Sequence, residues 1–262
     1  MPILRACRTA AKTEERQVAL DAALDAAALK GKRWDELREV AARLGSARPQ
    51  AEEPFDMETY ALRRLGRTAA VADLANRRLE RLPADRRAQL VLARIAEQKG
   101  DLDEAERRLR TLAGGTGAGV DELNELAWLL LVRGHADEQA LELAQRAAQQ
   151  PKGKTHGVLH TLGALLAERG RPTEAYQVMV QAINAGEGSA PGEADWYVFG
   201  RMAEQYGLPE VARGLYARVE KPTDFEAFST YHLAQARLAA LGAPAPPARP
   251  APRTAAKKNP AG

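Results

Sequence analysis

Residues 100–105 read GDLDEA, residues 170–175 GRPTEA and residues 207–212 GLPEVA. Three more stretches keep the same order of a glycine, polar residues and a small or apolar anchor: GKRWDEL at 31–37, GRTAAV at 66–71 and GHADEQA at 134–140. The anchors Leu37, Val71, Ala105, Ala140, Ala175 and Ala212 are separated by 34, 34, 35, 35 and 37 residues. Unrelated helices have no reason to hold such an interval, whereas a repeated helix hairpin does. In this reading the glycine ends the first helix, because it takes left-handed backbone without a Cβ penalty. The acidic residues after it suit the positive end of the second helix.

Four residues past each anchor come Ala41, Ala75, Leu109, Ala144, Met179 and Tyr216, and seven past it Leu44, Arg78, Leu112, Ala147, Ala182 and Val219. With the anchors they share one helical face. Pro49, Pro83, Pro151 and Pro222, or Gly114 and Gly186, then stop the second helix. Thirteen or fourteen residues before an anchor stands a large apolar residue followed by a small one: Leu92-Ala93, Leu126-Ala127, Leu162-Gly163 and Phe199-Gly200. The small residue is expected to let the neighbouring helix approach.

These marks resemble the tetratricopeptide repeat, with its W-x2-L-G-x2-Y, A-x3-F-x2-A and P pattern. The closest unit runs Trp196-x2-Phe199-Gly200-x2-Ala203, then Ala212-x3-Tyr216-x2-Val219; Leu159-x2-Leu162-Gly163-x2-Leu166 with Ala175-x3-Met179-x2-Ala182 is nearly as close. The resemblance covers about residues 86–222, while 12–83 match through their second helices and the interval. Asp25 and Thr59 there replace the small close-packing residue, so those units are expected to be distorted hairpins or plain superhelical neighbours. The resemblance implies an all-α, right-handed superhelical solenoid of about six hairpins. Its expected parts are a flexible N-terminus at 1–11, divergent hairpins at 12–83, tetratricopeptide-like repeats at 84–241, and a Pro/Ala/basic tail at 242–262 without order. A last helix at about 224–241, with Phe225, Phe228, Tyr231 and Leu233, is expected to cap the array.

Composition agrees. Ala, Leu, Arg and Glu dominate, all good helix formers, and isoleucine occurs only at positions 3, 95 and 183, which argues against sheet. The net charge of +3 comes from the tail, where Arg249, Arg253, Lys257 and Lys258 face no acid. A nucleic-acid-binding body would be expected to keep a basic excess of its own. Cys7 is the only cysteine, so no internal disulfide forms. No signal-peptide run and no stretch of about 18 uncharged apolar residues occurs, giving the expectation of a cytoplasmic protein.

Several motifs invite catalytic or cofactor readings and fail on context. Ala148 to Thr155 (AQQPKGKT) mimics a phosphate loop but follows a helix rather than a strand. The run Gly114-Gly115-Thr116-Gly117-Ala118-Gly119 fails as a dinucleotide fingerprint for the same reason. His156 and His160 share a helical face, but zinc needs two more ligands, and Gly157 stands where a zinc peptidase has glutamate. No catalytic residue, metal or cofactor is therefore expected.

In the resembled family the first helices line the concave surface and a ligand segment lies along it. By that register Arg94, Asn124, Trp128, His160, Tyr197 and Arg201 project into the groove. Arginine and large aromatics are common interface anchors. The lysine/asparagine carboxylate clamp of some members is not reproduced. The leading expectation is a non-catalytic scaffold or adaptor for a protein or peptide partner. The alternative is the repeat-bearing portion of a larger enzyme or receptor; a nucleic-acid or membrane-surface role through the tail is a weaker third reading.

Overall fold

The computed structural model describes residues 30–186, 191–192, 194–221 and 230–242. Among these are twelve helices and no strand. They are α1 (Trp34–Ala47), α2 (Glu52–Arg64), α3 (Thr68–Arg81), α4 (Arg86–Gln98), α5 (Leu102–Gly114), α6 (Val120–Val132), α7 (Glu138–Gln149), α8 (His156–Glu168), α9 (Pro172–Ala185), α10 (Asp195–Gln205), α11 (Pro209–Tyr216) and α12 (Tyr231–Ala240). The first helix of the first hairpin, with Asp25, lies outside the described residues, as do Cys7, Pro222, Phe225, Phe228 and the tail from 243.

The predicted second helices are α1, α3, α5, α7, α9 and α11. Every anchor is buried, and so is every residue four and seven positions beyond it. One member of that set is charged. Arg78 bonds through Nε to Asp85 at 2.7 Å and through Nη1 to the Ala51 carbonyl at 2.9 Å, while its guanidinium lies 4.7 Å from the Phe55 ring centroid. Full pairing is what allows a guanidinium at a core position.

Each hairpin turn uses the same device. Gly66, Gly100, Gly134, Gly170 and Gly207 have φ between 69° and 80°. The next residue donates its N–H to a carbonyl five residues back: Arg67 to Leu62, Asp101 to Ala96, His135 to Leu130, Arg171 to Leu166 and Leu208 to Ala203. This closes the last turn of the first helix with a 6→1 bond. The first unit departs from expectation. Its left-handed residue is Lys32, with φ 51°, not Gly31. Lys32 stands five residues before its anchor, as four of the five glycines do, so register rather than residue type places the turn there.

Starts are capped by Asp85, Asp101 and Asp137, each accepting from the N–H three residues on at 2.8–3.2 Å. Pro172 and Pro209 open α9 and α11. Helix α11 is short, ending at Tyr216 with Ala217 as its C-cap. Residues 148–149 end α7 and 150–155 turn into α8, which Thr155 caps, so no strand leads into the phosphate-loop look-alike. A Cβ on Gly153 would fall 2.0 Å from the Ala147 carbonyl oxygen, which accounts for the glycine structurally.

A continuous core runs from α4 to α12 and is fed by both helices of each hairpin. First helices also touch one another, α6 against α8 and α8 against α10, without matching side-by-side packing of α7 with α9 or α9 with α11. The array therefore curves with its first helices inside. Helix α12 packs on α10 and α11 and buries Ala234 and Leu238. His232 Nε2 comes within 3.3 Å of the Val132 carbonyl at the end of α6, three hairpins back.

Candidate functional site

The inner face is built from residues four apart on successive first helices. The row nearer the hairpin turns carries Arg94, Trp128 and Arg201; the row one turn earlier carries Asn124, His160 and Tyr197. Arg94 and Trp128 are half-buried and reach the surface of the face. Arg94 donates through Nε and Nη2 to Glu125 Oε1 on α6, at 3.1 and 2.6 Å. Burial would lower the Arg94 pKa, but the Glu125 charge and hydrogen bond outweigh it and raise it. The Trp128 ring lies 5.7 Å from that of His160, tilted by 50°. Asn124 is half-buried, with Oδ1 enclosed and unpartnered.

The other three sit deeper. Tyr197 is 2% exposed, and its hydroxyl donates to Glu168 on α8. Arg201 Nε donates to the same Glu168 oxygen at 2.6 Å, and Nη1 to Glu204, which also receives Arg237 from α12. Burial opposes the charge of Arg201, yet Glu168 and Glu204 hold its pKa above the usual value; burial beside Glu168 raises Tyr197 as well. The chain Tyr197–Glu168–Arg201–Glu204–Arg237 thus joins α8, α10 and α12 with its charges alternating.

His160 is 6% exposed. Its Nδ1 lies 2.8 Å from Asp195 Oδ1, and His156 Nε2 lies 3.1 Å from Asp195 Oδ2, which also accepts from Gly192 N–H at 2.8 Å. Burial alone would raise the Asp195 pKa, but these bonds and the His160 charge hold it at about 2. The two imidazoles stack at 5.9 Å. They are thus held by one carboxylate at the α8–α10 junction, and among the described residues no group of three His, Cys, Asp or Glu is placed to hold a metal ion.

Sequence reasoning missed the acidic partners Glu125, Glu168, Asp195 and Glu204. They stand 31 to 35 residues from Arg94, Arg201, His160 and Arg237 respectively. Opposite charges one repeat apart were the available signal. Also missed was a cleft of about 490 Å³ at the N-terminal end, where Thr59 and Arg63 of α2 face Val71 of α3 and Arg94 of α4. No described helix is long and apolar enough to cross a membrane.

No family model matches the chain, and no curated protein matches it by sequence. Solved structures do match. A tetratricopeptide repeat protein from Parabacteroides merdae is similar with a TM-score of 0.55 at 14% identity, over 91% of this chain and 90% of that one. PilF of Pseudomonas aeruginosa gives 0.57 at 13% identity, over 89% and 98%. A chain of the APC/C hetero-tetramer Cut9–Hcn1 gives 0.63 at 14% identity, over 92% of this chain and 46% of that one. With the repeated glycine turns, the buried anchor columns and the curved stack of hairpins, these likenesses establish that the chain has the tetratricopeptide-repeat fold.

Proposed function

We infer that this chain is a non-catalytic scaffold that holds a segment of a partner protein in its inner groove. The carrying observation is the packing of first helix on first helix, α6 on α8 and α8 on α10, with the Arg94–Glu125 pair tying α4 to the same inner side. On that face Arg94 and Trp128 present a cation and an aromatic ring to an incoming segment, the residue types that most often anchor interfaces. Asn124, His160, Tyr197 and Arg201 shape the wall behind them. Both arginines are paired, but Arg201 is held by two carboxylates with 11% of its side chain exposed and so orients neighbours, whereas Arg94, bonded to Glu125, keeps 32% exposed. The N-terminal half, around Arg94 and Trp128, is the engaging half.

Affinity capture with the full chain tests this reading. Wild type, the double variant Arg94→Gln/Trp128→Ala, and Tyr176→Ser on the exposed outer surface of α9 are compared on lysate of the source cells. The groove variant is expected to lose a captured protein that wild type and Tyr176→Ser retain, with all three equally helical by circular dichroism. Identical capture by all three removes the groove from the function. Reversing the charge of Arg201 is a poor probe, because it would bring three carboxylates together at Glu168 and Glu204.

A further inference from the structure

Large apolar side chains left in water are gathered in one place. Of the six among the described residues, Tyr176, Val180, Tyr206, Leu208 and Val211 lie on α9 and on the turn into α11, and only Tyr60 stands apart, on α2. Tyr176 and Val180 are one turn apart on α9, and Leu208, Val211 and Leu215 recur at helical spacing from the N-cap of α11. Between these two strips runs a groove of about 440 Å³ on the outer side of the array. Phe199 and Met202 of α10 form its floor, and Thr173, Tyr176, Tyr206 and Leu208 its rim. A contiguous apolar patch of this kind marks an interaction site, whereas single exposed residues do not.

The sequence beyond Gly242 supplies a segment of matching chemistry. Residues 243–253 read APAPPARPAPR, with Pro244, Pro247 and Pro250 three apart. Polyproline II turns once every three residues, so these prolines share one edge, about 9 Å from one to the next. Such segments dock on aromatic-lined grooves at low entropic cost, because proline presets their shape. Their carbonyls have no internal partner, so hydroxyls on the groove can donate to them. Here the Tyr206 hydroxyl lies 3.4 Å from Thr173 Oγ1, which puts two hydroxyls together at the rim.

The start of the segment is also placed. The Leu241 carbonyl, at the end of α12, accepts from Arg213 Nη1 of α11 at 3.0 Å. From there one helix, roughly 10 Å across, separates the chain from the groove. Residues 243–250 span about 25 Å in polyproline II, enough to cross it. Charge is not what recruits the segment, since Glu174 and Glu210 beside the groove are already paired with Arg171 and Arg213.

We propose that residues 244–253 dock on their own chain, as polyproline II, in the groove between α9 and α11, with the Pro244/Pro247/Pro250 edge against the rings of Tyr176, Tyr206 and Phe199. The surface is the outer one, so the inference is independent of the inner groove. Tyr176→Ser weakens tail docking and leaves partner capture unchanged.

The test is paramagnetic broadening in the full-length, isotope-labelled chain, carrying a nitroxide at Ala255→Cys with Cys7→Ser. The amide signals of Tyr176, Leu208 and Val211 are expected to broaden. A short tether gives an effective concentration on the order of millimolar, so about half the chains should be docked. Two variants separate docking from tethering nearby: Pro244→Gly/Pro247→Gly/Pro250→Gly, which lies beyond the last described helix, and Tyr176→Ser/Tyr206→Ser in the groove. Each should cut the broadening about fivefold, and raised salt should not. Mixing nitroxide-bearing unlabelled chains with isotope-labelled chains that lack the nitroxide should leave the same signals sharp. No broadening at these residues, broadening that survives either variant, or broadening that salt abolishes overturns the proposal. Equal broadening in the mixture also overturns it, by making a second copy the source of the segment.

Discussion

Hairpins α2/α3 and α10/α11 share one register and differ in how closely they shut. Twelve residues before the anchor, α10 has Gly200, and four residues after it α11 has Tyr216, fully buried. The corresponding pair in α2/α3 is Thr59 and Ala75. A glycine facing a large ring lets one helix receive the other's side chain. In α2/α3 neither a glycine recess nor a ring occupies those slots, and Ala75 packs with Phe55 and Ala88 instead. Helix α2 accordingly packs more closely on the preceding α1 than on its own partner α3, and the cleft opens between them. Register sets which positions correspond; the residues standing there decide whether the hairpin closes or leaves a cleft.

The largest expected effect comes from spoiling the closed hairpin. A Cβ on Gly200 would lie 2.4 Å from Tyr216 Cε1 and 2.9 Å from Cζ, against a ring with no exposed surface to move into. Gly200→Ala should cost about 3 kcal/mol, even after the gain in helix propensity, read as a lower midpoint in urea unfolding. At Gly163 the intruding atoms would be Met179 Sδ at 2.7 Å and Cγ at 3.0 Å, and an unbranched thioether can turn aside. Gly163→Ala should therefore stay within about 1 kcal/mol of wild type. Equal losses at both positions would show that the ring against Gly200 is not what sets the closure.

The two ends also settle a buried carboxyl in opposite ways, so they carry opposite pH signatures. Glu97 is raised to about 8, so the folded state holds its proton more tightly than the unfolded chain does. Its contribution is complete below about pH 4.5 and is lost as pH rises through 8. Glu97→Gln should be more stable than wild type by about 2–3 kcal/mol at alkaline pH and nearly equal at pH about 5, in thermal melts across that range. Asp195 is held at about 2 from an ordinary 3.8, so its contribution is present above 3.8 and lost as pH falls toward 2. Asp195→Asn should cost about 2 kcal/mol at neutral pH, with the gap to wild type closing in acid. A constant gap from pH about 6 to 2 would show that the two imidazoles and Gly192 do not hold the carboxylate in its charged form.

The fold was legible because the second helices repeat a buried column every 34–37 residues, and periodicity reports which face leaves water. The turns were legible to the extent that glycine marks left-handed backbone; Lys32 shows that the register can demand that conformation of another residue. The inner face was legible only as a list of positions. That His160 and Tyr197 are enclosed while Arg94 reaches the surface depends on Asp195, Glu168 and Glu125, each supplied by a neighbouring first helix. Such pairs need the curvature of the stack, which no single helical period contains. The replacement of a small residue by Thr59 marked the divergent hairpin, but it could not say that the space left would gather Arg63 and Arg94 around it.

The smallest effect is the sharpest on that last point. Thr59→Val keeps the branched shape and removes only the hydroxyl. Because Oγ1 is enclosed and bonded to nothing, its loss should stabilise the chain by about 1 kcal/mol rather than destabilise it. Gly200→Ala and Thr59→Val then act on the same register slot with opposite signs, one overfilling a closed hairpin and the other relieving an open one. A destabilised Thr59→Val would mean that Oγ1 is already satisfied in the folded protein.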